Sequence, residues 1–320
     1  MHFDAFWLQF LAASPNLRPA TVELYGRLAR RYLLPEFGDK RMAEIGRMDV
    51  EAWIGGMTAR GIGQPTVAAS VRLLRAMFNK AIAEDLIGRN PAKGVRVPAA
   101  ANHEMRFLTG EEVDTLAEAT PERYRTLIYF LAYGGPRIGE AAALKVENLN
   151  LLRGEVTIQA SLNEVGGHLD LGPTKTGGTR TFTMPPFLRD MVGEHIARYA
   201  SPEGWRFPSP DGGPLRPNNF RKRVFHPAVR NAGLAALRVH DLRHTCAALL
   251  VAQGAHALEI ADRLGHASPV VTMRVYAHIL PRLEQRLTSG LEATFQQARE
   301  TNAAFLRPLG TGTVIVLPSR

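Results

Sequence analysis

Three short stretches of the chain carry side chains suited to proton transfer, nucleophilic attack or anion binding. In VHDLRHTCAALL, residues 239–250, His240 and Arg243 lie three positions apart. On a helix that spacing projects both from one face, and the apolar residues that follow anchor the helix. A proton-transfer group and a permanent cation would then share one pocket. In YGGPRIGEAAAL, residues 133–144, two glycines and a proline precede Arg137, while Ile138, Ala141, Ala142 and Leu144 supply an apolar helix face. An arginine at such a helix start is costly to bury without an anion. The spacing leaves two answers open, a salt bridge to Glu140 or an anionic ligand. In LGHASPVVTMRVYAH, residues 264–278, His266 follows Gly265 in a turn and Tyr276 stands near the end of a helix, flanked by Arg274 and His278. A tyrosine so placed equally suits packing with a wet hydroxyl.

One metal-dependent alternative comes from the same residues. His240 and His244 have the i, i+4 spacing of a zinc-binding helix, with His266 as the available third ligand. Zinc hydrolases of that kind place Glu directly after the first His as general base, whereas this chain has Asp241, one methylene shorter. A zinc hydrolase is therefore a remote reading.

Taken in order, the three stretches resemble the tyrosine recombinases, also called phage integrases. The family's active site comprises two arginines, a lysine, two histidines and a nucleophilic tyrosine. The positions here that match are Arg137, Lys175 beside the TGG turn, His240, Arg243, His266 and Tyr276. The resemblance covers about residues 1–280 and implies a site-specific DNA recombinase. In the reaction it implies, Tyr276 attacks phosphorus to give a 3'-phosphotyrosyl link and a free 5'-hydroxyl, with neither ATP nor a metal ion, so no cofactor is expected. Two guanidinium forks match phosphate geometry and neutralise charge building on the nonbridging oxygens; that role falls to Arg137 and Arg243, with His266 adding a hydrogen bond. A phenol of ordinary pKa near 10 needs help to lose its proton, which points to His240. Lys175 would return a proton to the departing 5'-oxygen. Glu140 reads as a structural brace, Arg180 as a phosphate contact, and His244 and His278 as supporting residues. Pro136 departs from the larger apolar residue expected before the first arginine. Two rivals remain: a DNA-binding protein of the same fold without catalysis, and a type IB topoisomerase, which shares the chemistry.

The surrounding chain has to position these groups. Its 320 residues are 45% hydrophobic and 22% charged, with a formal charge of +9, a surplus that favours polyanionic partners. Residues 1–97 carry 14 basic and 9 acidic side chains, so the first third is the more basic part. A single cysteine, Cys246, forbids an intrachain disulfide, and no apolar run is long enough to span a membrane. The cytoplasm is the expected compartment, with no membrane association.

The expected fold is mainly α with a small antiparallel sheet. A helical, SAM-like core-binding domain over 1–97 precedes a linker over 98–105, a catalytic domain over 106–282, and a C-terminal helix and tail over 283–320. Apolar periodicity predicts helices over 3–13, 19–34, 49–60 and 65–87, with Pro35 to Asp39 ending the second and Asp49 capping the third. Arg27, Arg30 and Arg31 on the second helix, and Arg72, Arg75 and Lys80 on the fourth, read as DNA phosphate contacts. Asn90 to Glu104 has two prolines and no helical period, which reads as linker. Thr109 followed by Glu111 and Glu112 reads as an N-cap with an acidic first turn. Strands are expected within 154–159 and 168–185, with TGG as the turn between alternating residues. Leu283, Leu287, Leu291 and Phe295 recur at helical spacing and suggest a helix that links protomers. Double-stranded DNA is the expected partner, bound by a homotetramer on paired sites, with directionality factors possible. The core-binding pattern starts near residue 3, so no arm-binding domain is expected before it, a layout like that of Xer or transposon recombinases.

Overall fold

The computed structural model describes residues 1–97, 106–199, 201–265 and 281–305, with side chains over 288–300 in the last stretch. Helix α1 (Phe3–Ala12) buries Phe3, Phe6, Trp7 and Phe10, the i, i+3, i+4, i+7 stripe of an amphipathic helix. It packs with α2 (Pro19–Leu28), α3 (Leu34–Phe37), α4 (Arg47–Ala59) and α5 (Gln64–Ala83) around one apolar core that extends to Val95.

The second helix ends at Phe37, inside the expected Pro35 to Asp39 break and three residues past the bound predicted at 34. A π-turn over Ala29–Leu33 joins α2 to α3, and the Leu34 amide bonds back to the Ala29 carbonyl. Proline lacks an amide donor and crowds the carbonyl four residues back, and a widened turn accommodates both defects without ending the helix. A second π-turn, Phe220–Phe225, precedes Pro227 in the same way. Asp49 is not the N-cap of α4. The cap is Gly46, and Asp49 sits three residues later, accepting the Gly46 amide at 2.8 Å and Lys40 Nζ at 3.0 Å.

The first part of the expected linker is also docked rather than free. Arg75 donates from Nε to the Ala92 carbonyl at 2.8 Å and from Nη2 to the Val95 carbonyl at 2.6 Å, and Ala92 and Val95 are buried in the helical core. The rest, 98–105, lies outside the described residues.

The second body begins with α6 (Gly110–Glu118), capped as the sequence predicts: Thr109 Oγ1 accepts the Glu112 amide while Glu112 accepts the Thr109 amide. Helices α7 (Glu122–Tyr129), α8 (Ile138–Ala142) and α9 (Pro186–Arg198) follow. Then come α10 (Pro217–Asn219), α11 (His226–Asn231), α12 (Val239–Ala252), α13 (Ala257–Leu264) and a long α14 (Pro281–Phe305).

Five strands interrupt this helical body. One sheet has the order β1 (Leu149–Asn150), β2 (Glu155–Ile158), β5 (Arg180–Thr183); the other pairs β3 (Ala160–Val165) with β4 (His168–Pro173). All pairings are antiparallel. The TGG segment is not a hairpin turn, because β4 pairs backward with β3 and β5 with β2. The tight hairpin instead turns at Gly166 and Gly167, both at positive φ, which matches the twist of a two-residue connection. No helix among the described residues is long and apolar enough to cross a membrane.

Candidate active site

Arg137 is placed by the chain that precedes it. A π-turn over Phe130–Gly134 closes α7, Gly135 adopts φ +76°, and Arg137 becomes the residue before α8. Its amide and its Nη1 both donate to Glu140, at 2.9 and 2.7 Å. Nη2 reaches the Gly265 carbonyl at 3.4 Å. Glu140 is fully buried and also accepts Arg180 Nη2 at 2.6 Å. Burial alone would raise its pKa, but Arg180 first and Arg137 second outweigh that effect and hold the carboxyl below its ordinary value. The salt bridge read as one option from sequence is present, and the guanidinium of Arg137 remains partly open to a cavity.

Arg243 and His240 share a face of α12, as their spacing requires. Arg243 is 2% exposed and donates from Nη1 to the Gly135 carbonyl at 2.8 Å. Its Nη2 is buried with no hydrogen-bond partner among the described residues. Burial and the nearby Arg137 charge push its pKa down to about 9, so it is still a cation at pH 7. The outer edge of His240 is open to solvent, while its inner edge packs against His244 with ring centroids 4.8 Å apart. Partial burial, His244, Arg243 and Arg137 all hold its pKa below the ordinary imidazole value, which makes it neutral at pH 7.

A cavity of about 640 Å³ gathers these groups: Arg137, Lys175, His240 and Arg243 all line it. Lys175 is exposed on a turn closed by Thr174, whose hydroxyl donates to the Gly178 carbonyl at 2.9 Å. Four residues from three separate stretches therefore meet in one place. His266, Tyr276 and His278 lie outside the described residues, which stop on this side at Gly265.

Some placements were not legible in the sequence. Ser161 and Asn163 of β3 line the cavity, and the hairpin was missed because ASLNEV lacks clean alternation; the Gly166–Gly167 pair was the available signal. Arg18, at the start of α2, also faces the cavity, and its Nη2 donates to the Thr174 carbonyl at 3.1 Å. Arg180 is not displayed to solvent as a phosphate contact, because Glu140 and the Arg263 carbonyl engage its fork. Asp241 is not poised as a zinc-site base: it caps α12, accepting the Arg238 amide at 2.8 Å and the Arg238 guanidinium.

Comparison with known proteins decides the family. The model of the phage integrase family matches residues 106–282, and that of the phage integrase N-terminal SAM-like domain matches residues 2–57. The chain is 32% identical over 271 residues to a putative prophage phiRv2 integrase of Mycobacterium tuberculosis, an alignment covering 82% of this chain and 71% of the relative. The chain belongs to the phage integrase family of tyrosine recombinases. It is thus a site-specific DNA recombinase. The integrase fold is also seen in solved structures: the Tn1549 transposon integrase in complex with a circular intermediate DNA superposes with a TM-score of 0.80 at 20% identity, over 89% of this chain and 99% of that one. A lambda integrase dimer bound to a core site gives 0.67 at 18% identity, over 85% and 97%.

In this integrase the Gly-Gly-Pro segment couples the two arginines, since Gly135 both precedes Arg137 and accepts Arg243. A Cβ at Gly135 would lie 2.5 Å from Leu264 Cδ2 and 2.8 Å from Cys246 Sγ, in a conformation that L residues rarely adopt. Left-handed strain and forced overpacking together predict that Gly135→Ala destabilises the fold by roughly 2–5 kcal/mol. Urea unfolding would measure the loss. A midpoint equal to that of the wild type would mean that Leu264 and Cys246 yield freely.

Proposed function

We propose that this integrase cuts and rejoins DNA through Tyr276. Its phenolic oxygen forms a bond to the scissile phosphorus as the bond from phosphorus to the 5'-oxygen breaks. A 3'-phosphotyrosyl link and a 5'-hydroxyl result. One phosphodiester replaces another, so no nucleotide hydrolysis is needed, and attack by a 5'-hydroxyl from another duplex reverses the step and exchanges strands.

The observation that carries this reading is the shared cavity. Arg137 and Arg243 would clamp the nonbridging oxygens, and Nη2 of Arg243, without a partner among the described residues, is a donor suited to such an oxygen. His240, neutral at pH 7, would accept the phenolic proton. Lys175, on its exposed turn at the rim, would supply the proton that the departing 5'-oxygen takes up. His266 would add a further hydrogen bond to the phosphate. Retention of the protein on a nicked duplex after denaturation in detergent tests the reaction; free protein in every lane would refute it.

We further propose that residues 1–97 and 106–282 act as two domains that clamp duplex DNA. Arg27 and Arg31, one turn apart, line a cleft between α2 and α5, and Arg30 and Arg72 are exposed nearby in sequence. Arg75 and Lys80 differ, since Arg75 holds the 92–95 segment and Lys80 pairs with Glu84 at 2.7 Å. Arg27→Ala and Arg31→Ala should each weaken DNA binding irrespective of sequence and reduce the slope of log affinity against log salt by about 1. Arg75→Ala should lower thermal stability and leave that slope alone. Fluorescence anisotropy across a salt series separates the two classes, and an unchanged slope for Arg27 and Arg31 would remove them from the interface.

Assembly on paired sites would use α14. Residues 288–300 are exposed all along it, with Leu291 and Phe295 at 72% and 55%. Leu291 and Phe295, one turn apart and open on a 25-residue helix, suit docking on a second protomer, as a homotetramer on paired sites would require.

A further inference from the structure

We infer that Arg180 is a positioning residue for the cleavage step, one that keeps Arg137 available to the phosphate by holding Glu140 in place. This inference rests on the proposed role of Arg137.

Glu140 presents two carboxylate oxygens to three donors. Oε1 takes Arg137 Nη1 at 2.7 Å; Oε2 takes the Arg137 amide at 2.9 Å and Arg180 Nη2 at 2.6 Å. The carboxylate is wholly buried, whereas the Arg137 and Arg180 side chains are 22% and 11% exposed. Only Arg137 of the two lines the cavity. A buried carboxylate must satisfy both oxygens within the protein. Without Arg180, the shortest donor to Oε2 disappears, and the guanidinium already bound to the same carboxylate is that of Arg137. Both arms of Arg137 would then turn inward as a bidentate pair, the preferred arginine–carboxylate geometry. The arm now held loosely, at 3.4 Å from the Gly265 carbonyl, is the one that would be withdrawn from the cavity.

The rest of Arg180 reinforces the same brace. Its Nε donates to the Arg263 carbonyl at 3.0 Å, and a Cβ at Gly265 would lie 2.8 Å from its Nη1. The guanidinium thus lies flat against Gly265, the residue whose carbonyl Arg137 touches. Gly265, at φ +68°, can accept that contact because it has no side chain. One strand residue therefore ties the Glu140 brace to the end of α13, immediately before His266 in sequence.

Arg180→Ala, Arg180→Lys and Glu140→Gln, with the Arg180→Ala/Glu140→Gln double variant, provide the test. Noncovalent DNA affinity and its salt slope are measured beside single-turnover covalent complex formation, with folding checked by thermal denaturation. We expect Arg180→Ala to slow covalent complex formation about 100-fold, the scale of a misplaced catalytic group, with any fall in the salt slope no larger than the single contact that Arg137 withdraws. Arg180→Lys, which restores a cation beside Oε2, should recover part of the rate. The double variant should be no slower than the slower single one, because both changes act on one brace. Covalent complex formation at the wild-type rate in Arg180→Ala would overturn the proposal. Independent, multiplicative losses in the double variant would overturn it as well. If wild-type protein itself forms no covalent complex, the underlying reading of the site fails instead, and the two failures are thereby distinguished.

Discussion

Replacing Arg243 by methionine should lower the rate of covalent complex formation about 10³-fold, the loss seen when a principal transition-state donor is removed, and should leave the fold at least as stable as before. The two expectations share one cause. Among the described residues Arg243 is buried with the Gly135 carbonyl as acceptor and no partner for Nη2, and Glu140 engages other arginines. Burial, followed by repulsion from Arg137, lowers its pKa to about 9. The folded chain therefore binds this proton less tightly than the unfolded chain does, so the charge opposes folding at pH 7. That opposition fades only as pH rises above about 9, where the folded state alone loses the proton. Methionine fills similar volume without the charge. A cation held at a cost to the fold belongs where an anion must bind. Calorimetry and single-turnover cleavage measure the two quantities; a large fall in melting temperature, or a rate near wild type, would contradict this account of Arg243.

Features fixed by local spacing were the legible ones. His240 and Arg243 meet because three residues on a helix span nearly one turn, a local rule that sequence spacing reports directly. Thr109 and Glu112 form their reciprocal cap for the same reason. The misread features depend on contacts between distant residues. Nothing local distinguishes Arg75, which holds the backbone at 92 and 95, from Arg72, which is exposed. Arg180 looks like a phosphate contact until Glu140, forty positions earlier, is found against it. The Pro35 to Asp39 break does end the second helix, but a widened turn before Pro35 carries it three residues past the predicted bound, to Phe37. Asp49 has the chemistry of an N-cap, but Gly46 takes that position and leaves the aspartate to close the box from inside the first turn. Periodicity reports which face a residue occupies, and tertiary contact decides what the face meets.

Tyr276→Phe is expected to abolish the covalent product altogether. Phenylalanine keeps the ring and removes the only oxygen that could join phosphorus, so there is no weaker nucleophile on the same side chain to sustain a residual rate. DNA affinity should remain close to wild type, because the proposed phosphate clamp of Arg137 and Arg243 and the proposed contacts at Arg27 and Arg31 are untouched.

The most direct measurement combines that variant with a duplex nicked beside the cleavage point, so that the 5'-side fragment diffuses away and the protein stays attached. Peptide mapping of the trapped wild-type adduct should place the DNA on Tyr276, with no adduct from Tyr276→Phe at equal occupancy of the duplex. An adduct of undiminished yield in the variant, or one mapped to a different side chain, would contradict the assignment of the nucleophile.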